Sequence, residues 1–398
     1  MAKQVAKKFS MCVVAAAAGI LCSTASAAPA DTTRVIVKFK PGAKAAMKSL
    51  AANSNATMQK EIFGMDAVAM EVPMTALKGL ENNPNVEYVE EDLKRYPIAL
   101  TSPSTGTPYA LGQTVPYGIK QVQADLLSDA NTGNRMVCII DSGYDRAHED
   151  LSGNVVTGTN DPGTGNWYTD ENSHGTHVAG TIAAINNSNV GVVGVNANRR
   201  LKLHIIKVFG ASGWAYSSDL ASAANKCRSA GANIINMSLG GAGSSTTESN
   251  AFATLANAGI LSIAAAGNAG NSSLSYPASY SSVMSVAAVD EFKARASFSQ
   301  YNSQVEISGP GVSVYSTIPT SRGKYGYKSG TSMAAPHVAA VAALVWSYFP
   351  TCTGAQIRTS LNNSAQDLGA AGRDTSYGFG LVQAKAAHDR IRSLGCGR

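Results

Sequence analysis

The sequence predicts an α/β protein, a mostly parallel sheet with helices on both faces, preceded by a small α+β unit. Three observations carry this. Short, continuously apolar runs recur from residue 135 onward, as in strands buried on both faces. Helical patterns rich in small residues, such as 217–231 and 246–259, stand between them. Ahead of them, about seventy residues carry a strand–helix alternation of their own.

The 398 residues exceed what one core holds, near 250–300. Apolar residues make up 44% and charged residues 15%, against about 25% charged in an average domain. That excludes a disordered, coiled-coil or collagenous chain. The net charge of +6 is mild and forms no Lys/Arg block, which argues against a nucleic-acid partner.

Residues 1–27 read as a signal peptide. Lys3, Lys7 and Lys8 precede the apolar run MCVVAAAAGILC, and Ala25-Ser26-Ala27 offers the small residues that signal peptidase reads. The run falls short of the roughly 20 apolar residues a bilayer span needs. The expected product is exported, meets no membrane after export, and keeps four of its six cysteines, Cys138, Cys227, Cys352 and Cys396. Four cysteines allow three pairings, and spacing does not choose between them. The pairing expected is Cys138–Cys227 with Cys352–Cys396, and buried free thiols are the alternative. No CxxC or CxxH spacing suggests zinc.

Residues 28–110 read as a separate unit with a linker. TTRVIVKF alternates as a half-buried strand, PGAKAAMKSLAANS reads as a helix entered through Pro41, and AVAMEV as a second strand. TALKGLENNP is a second helix and VEYVEE a third strand. Residues 99–113, rich in Pro, Gly, Ser and Thr and without charge, have linker composition. In the body, 111–398, strands are predicted at RMVCIID, LHIIKVF, NIINMSL, ILSIAAA and VMSVAAV. Functional residues of such sheets gather at the carboxyl ends of the strands. Asp141 and the pair Gly267-Asn268 stand at two such ends.

Three boxes carry chemistry. IIDSGYD sets Asp141 at a strand end, NSHGTHVAGTIAAI sets His174 at a helix start, and YKSGTSMAAPHVAA sets Ser332 at a loop-to-helix junction. A hydroxyl is a weak nucleophile until a base takes its proton, and the base needs an acid to fix its tautomer. Singly, each box is an ordinary turn or helix start. Together, Asp141, His174 and Ser332 supply the acid, the base and the nucleophile. His148, His177, His204, His337 and His388 read as structural or exposed. An esterase would need GxSxG and the order Ser…Asp…His, and has neither.

The boxes resemble those of the subtilisin-like serine proteases (subtilases), in the chain order of that family. VPYGIKQVQA, INMSLGG, SIAAAGN and YGFGLVQAKAA resemble further subtilase segments, so the likeness runs from Gln113 to Ala387. The flavour is that of a secreted Gram-negative type. The resemblance implies a subtilisin-like sheet and, ahead of it, a ferredoxin-like inhibitory propeptide. It implies a serine endopeptidase in which Ser332 attacks the carbonyl, His174 moves the proton, Asp141 orients His174, and Asn268 donates to the oxyanion. Ser238, Leu239 and Gly240 would form one strand beside the substrate, and FGASGWAY with Gly213 the other. Ala265, Gly267 and Ser275 would line an uncharged P1 pocket suited to large apolar residues, and Tyr216 would wall the P4 pocket.

By the same resemblance a structural Ca²⁺ is expected, with no organic cofactor. Its ligands would be the side chains of Gln113, Asp150 and Asn187 and the carbonyls of Ile185, Val190 and Val192, in a loop one residue longer than the family's. The propeptide would be cut after Leu100 or Ala110. Protein and peptide substrates, the chain's own propeptide as inhibitor and a monomeric state follow. The alternative is a catalytically inert subtilase-like binding protein, which would be expected to lack a member of the triad.

Overall fold

A computed structural model describes residues 31–98, 113–187 and 190–398. The expected signal peptide, the cuts after Leu100 and Ala110, and Cys12 and Cys22 lie outside the described residues. Among those described, no helix is long and apolar enough to cross a membrane.

The first unit runs β1 (Thr32–Phe39), α1 (Met47–Asn53), β2 (Thr57–Glu61), β3 (Ala67–Pro73), α2 (Leu77–Glu81) and β4 (Val86–Glu91). Its strands lie antiparallel in the order β2-β3-β1-β4, the βαββαβ arrangement of a ferredoxin-like fold. Val37, Phe39, Val68, Met70 and Leu80 form its core. Strand β2, TMQKE, has no apolar alternation because it is an edge strand with a mixed, mostly polar surface, so its pattern gave no signal. A last short strand, β5 (Lys94–Pro97), leaves this sheet and pairs with the body.

The body is built on seven parallel strands. They are β6 (Met136–Asp141), β7 (Val155–Asn160), β8 (Lys202–Lys207), β10 (Ile234–Met237), β12 (Leu261–Ala265), β13 (Val283–Val289) and β14 (Val305–Pro310). Their order is β14-β13-β12-β10-β6-β8-β7. The five central strands are the five apolar runs expected. Edge strand β7, VVTGTN, alternates exposed and half-buried residues and lacks such a run. Two-residue strands β9 (Ala215–Tyr216) and β11 (Leu239–Gly240) flank β5, and the hairpin β15 (Val314–Thr317) and β16 (Tyr325–Lys328) stands apart.

The helices are α3 (Tyr117–Gln121), α4 (His174–Ala183), α5 (Ser217–Ser229), α6 (Thr246–Asn257), α7 (Thr331–Tyr348), α8 (Gly354–Asn363) and α9 (Ala384–Leu394). On one face of the sheet α4 and α7 are buried almost all round, which their alanines and glycines permit. On the other face α5 and α6 pack through Leu220, Ala224, Phe252 and Leu255. Disulfides Cys138–Cys227 and Cys352–Cys396 form, as expected, the first joining β6 to α5 and the second holding the C-terminus.

Candidate active site

Asp141 ends β6, and its backbone carbonyl accepts from Val208 N at 2.9 Å. Its Oδ1 accepts from the backbone N–H of Ser142 at 2.7 Å and from His174 Nδ1 at 2.7 Å. His174 opens α4, held there by a residue that the sequence motifs did not single out. Asp170 is buried, and its carboxylate accepts from Ser173 N, Thr176 N, Thr176 Oγ1 and Ser142 Oγ at 2.7–2.9 Å. A carboxylate at a helix N-terminus satisfies free N–H groups and favours the dipole. The only sequence signal is an Asp four residues before the HGTH box. His174 Nε2 is buried and has no hydrogen-bond partner among the described residues.

Ser332 is the second residue of α7. Pro336, four residues on, has no N–H to give the Ser332 carbonyl. That carbonyl accepts instead from Ser238 Oγ at 2.8 Å. The Ser332 hydroxyl donates to the Ser238 carbonyl at 2.8 Å. Asn268 follows β12, and its Oδ1 accepts from Thr331 N and Thr331 Oγ1, both at 2.9 Å. This fixes which side of the amide carries its donors.

The donor side faces the first unit. Asn268 Nδ2 donates to the Ile98 carbonyl at 3.1 Å, and Ile98 N–H donates to the Ser238 carbonyl at 3.3 Å. Behind Ile98, β5 pairs antiparallel with β11, Leu239 opposite Pro97 and Gly240 opposite Tyr96. On its other side Lys94 stands opposite Tyr216 and Arg95 opposite Ala215 in β9. The chain's own segment is thus laid between β11 and β9 as an added strand. Gly213 lies two residues before β9, outside this ladder.

An uncharged cavity of about 280 Å³ opens beside Ile98, walled by Gly240, Gly241, Gly267, Leu274 and Ser275 among others. Ala265 packs in the sheet core instead. A Cβ on Gly240 would come within 2.7 Å of Ile98 Cδ1, so glycine there leaves room for the side chain.

The other histidines are held by structural bonds. His177 Nε2 donates to the Val314 carbonyl at 3.0 Å and His337 Nδ1 to the Met333 carbonyl at 2.8 Å. Burial holds His177 well below its ordinary value and His337 down to about 4.

The residues expected to hold calcium converge. Gln113 Nε2 lies 2.7 Å from Ile185 O, 3.1 Å from Val192 O and 3.3 Å from Asn187 Oδ1. Asp150, fully buried, accepts from Asn187 Nδ2 at 2.6 Å and Val192 N at 2.8 Å. A Cβ on Gly191 would come within 2.1 Å of Asp150 Oδ2, so the loop closes on the carboxylate only with glycine there. This set of amide and carbonyl oxygens with one carboxylate suits a hard cation. Among the described residues, no group of three or more His, Cys, Asp or Glu gathers to hold a metal. Val190 is half-buried and borders residues 188–189, which lie outside the described part.

Residues 133–380 match the model of the subtilase family. The chain belongs to the subtilase family. Residues 32–92 match the N-terminal prodomain of fervidolysin. Subtilisin amylosacchariticus of Bacillus subtilis subsp. amylosacchariticus is 40% identical over 365 residues, covering 89% of this chain and 90% of that protein. Subtilisin DY of Bacillus licheniformis is 43% identical over 281 residues, covering 69% of this chain and 99% of that protein. Among solved structures, the psychrophilic subtilisin-like protease of Pseudoalteromonas sp. AS-11 is similar, at 38% identity and a TM-score of 0.67, covering 71% of this chain and 99% of that one. Fervidolysin of Fervidobacterium pennivorans, a keratinolytic enzyme, is similar at 27% identity and a TM-score of 0.77, covering 90% of this chain and 61% of that one. This subtilase is accordingly a serine endopeptidase preceded by a prodomain, and these relatives do not favour the inert binding protein.

Proposed function

We propose that this subtilase is a secreted endopeptidase that works through Asp141, His174 and Ser332 and is held inactive by its own prosegment until it cuts itself between Ile98 and Ala99. The single observation that carries this is the seating of Ile98, with its N–H on the Ser238 carbonyl and its carbonyl on Asn268 Nδ2. A residue bound at both groups presents its carbonyl carbon for attack.

The Ser332 hydroxyl turns from Ser238 to the free Nε2 of His174, which takes its proton as Oγ adds to that carbon. Asn268 Nδ2 and the Ser332 backbone N–H receive the negative charge on oxygen. Asp141 holds the Nδ1–H tautomer and stabilises the imidazolium without taking the proton itself. As the peptide bond breaks, His174 passes the proton to the departing nitrogen of Ala99. Water, deprotonated by the same imidazole, then releases the acyl group and restores Ser332.

The uncharged cavity beside Ile98 supports a preference for large apolar residues at P1, since a Lys or Arg there would be buried without a counter-charge. A calcium ion bound by Gln113, Asp150, Ile185, Asn187, Val190 and Val192 would tie the N-terminal segment of the mature body to the loop after α4 and add stability. Export follows from the signal-like residues 1–27.

Expression of wild type and Ser332→Ala tests this together. Wild type should hydrolyse casein and carry an N-terminus beginning at Ala99, while Ser332→Ala accumulates as uncut precursor. Casein hydrolysis by Ser332→Ala would overturn the mechanism. An N-terminus at Thr101 or Leu111 in the earliest processed form would overturn the assigned bond and favour a cut after Leu100 or Ala110.

A further inference from the structure

Arg95 is a charged side chain with no accessible surface at all, and its partner Glu248 is equally buried. With Ile98 at P1, β5 places Arg95 at P4. All five N–H donors of its guanidinium are used. Nε reaches Glu248 Oε1 at 3.2 Å and Nη2 reaches Glu248 Oε2 at 2.8 Å, a two-pronged contact. The rest go to the carbonyls of Ala242 at 3.1 Å, Gly243 at 3.0 Å and Lys94 at 3.2 Å.

Of these acceptors only the Lys94 carbonyl departs with the prosegment. The others are built into the body. Glu248 stands in the first turn of α6, its N–H capped by Ser245 Oγ at 3.2 Å. Its Oε2 also accepts from Tyr280 Oη at 2.7 Å, and that hydroxyl is pushed well above its ordinary value by burial and by Glu248, so it remains a donor. The carboxylate is therefore aimed at the space Arg95 fills.

We propose that Glu248 makes the P4 position of this subtilase selective for arginine, in protein substrates as in its own prosegment. This rests on the proposed seating of Ile98 at P1. An apolar P4 side chain would cover Glu248 and leave a buried carboxylate unpaired, whereas arginine satisfies it and two carbonyls besides. Lysine brings the charge without the planar fork and ranks between the two.

The test uses the secreted, processed enzyme and quenched fluorescent peptides with Tyr-Pro-Ile before the cut and Arg, Lys, citrulline, Leu or Glu at P4. Arginine should exceed leucine and citrulline in kcat/KM by roughly tenfold to hundredfold, with glutamate poorest. In Glu248→Gln the arginine-to-leucine ratio should fall close to one. Citrulline keeps the shape and loses the charge, so the wild-type profile decides even if that variant does not fold. Equal cleavage of the arginine, citrulline and leucine peptides would overturn the P4 assignment and leave the endopeptidase standing. Cleavage of none of them would overturn both.

Discussion

The carbonyl oxygen of Ile98 stands 3.1 Å from Nδ2 of Asn268, whose own oxygen is pinned by Thr331. The amide thus offers its donor where a tetrahedral oxyanion would form. Asn268→Ala should lower kcat with little change in KM. The loss known for such a donor in subtilisin itself is about 10²–10³. Thr331→Val keeps the backbone bond and removes the hydroxyl, so it should lower kcat several-fold, again without raising KM. Steady-state kinetics on one peptide separate the two constants. A rise in KM at constant kcat would remove Asn268 from this role and reduce Thr331 to a packing residue.

The prosegment docks through carboxylates at helix starts. Asp92 accepts from Ser218 N at 3.0 Å and Ser218 Oγ at 2.7 Å at the start of α5, and Glu90 from Thr246 N at 2.7 Å and Thr247 N at 2.8 Å at the start of α6. Each joins negative charge to free N–H groups and a favourable dipole. In a Ser332→Ala precursor, Asp92→Ala or Glu90→Ala should speed removal of the prosegment by added trypsin about tenfold. Unchanged digestion rates would mean that the β5 strand alone holds it.

Calcium should stabilise the body, with or without its prosegment, through Asp150. EDTA is expected to lower the melting temperature of the Ser332→Ala protein, and Asp150→Asn to lower it while abolishing the EDTA response. A melting temperature indifferent to EDTA would argue that the Gln113 amide occupies the site permanently.

Acid should destabilise the body through two neutral histidines. Burial lowers His177 and His337 in the folded state, His337 to about 4, while the unfolded chain titrates near 6.5. Below that value the unfolded state takes up protons that the folded state does not. Stability present above pH 6.5 is therefore lost as the pH falls toward 4, by up to about 3 kcal/mol for His337. Urea unfolding of Ser332→Ala across this range should show the decline, and His337→Gln should flatten it. A level profile in the unsubstituted protein would refute it.

By itself, the sequence determined the repeated strand-and-helix order of the body, the boxes around Asp141, His174, Ser332 and Asn268, and the prosegment as a separate unit. These are local facts. An apolar run such as 260–266 is a buried strand wherever it folds, and HGTH opens a helix by its own spacing. Edge strands β2 and β7 escaped because a half-solvated edge needs no apolar run.

Only the tertiary structure decided the contacts between distant segments. Arg95 and Glu248 are 153 residues apart and Ile98 and Asn268 170, and nothing in either local pattern announces its partner. RYPIAL in the sequence could suggest a cut, but its register against β11 was needed to bring Ile98 between Ser238 and Asn268. Likewise GSSTTESN reads as a capped helix start, and its Glu248 becomes a specificity element only when folding buries it opposite a guanidinium. Burial and pairing belong to the packed chain. A buried charge acquires its meaning from the one group that neutralises it.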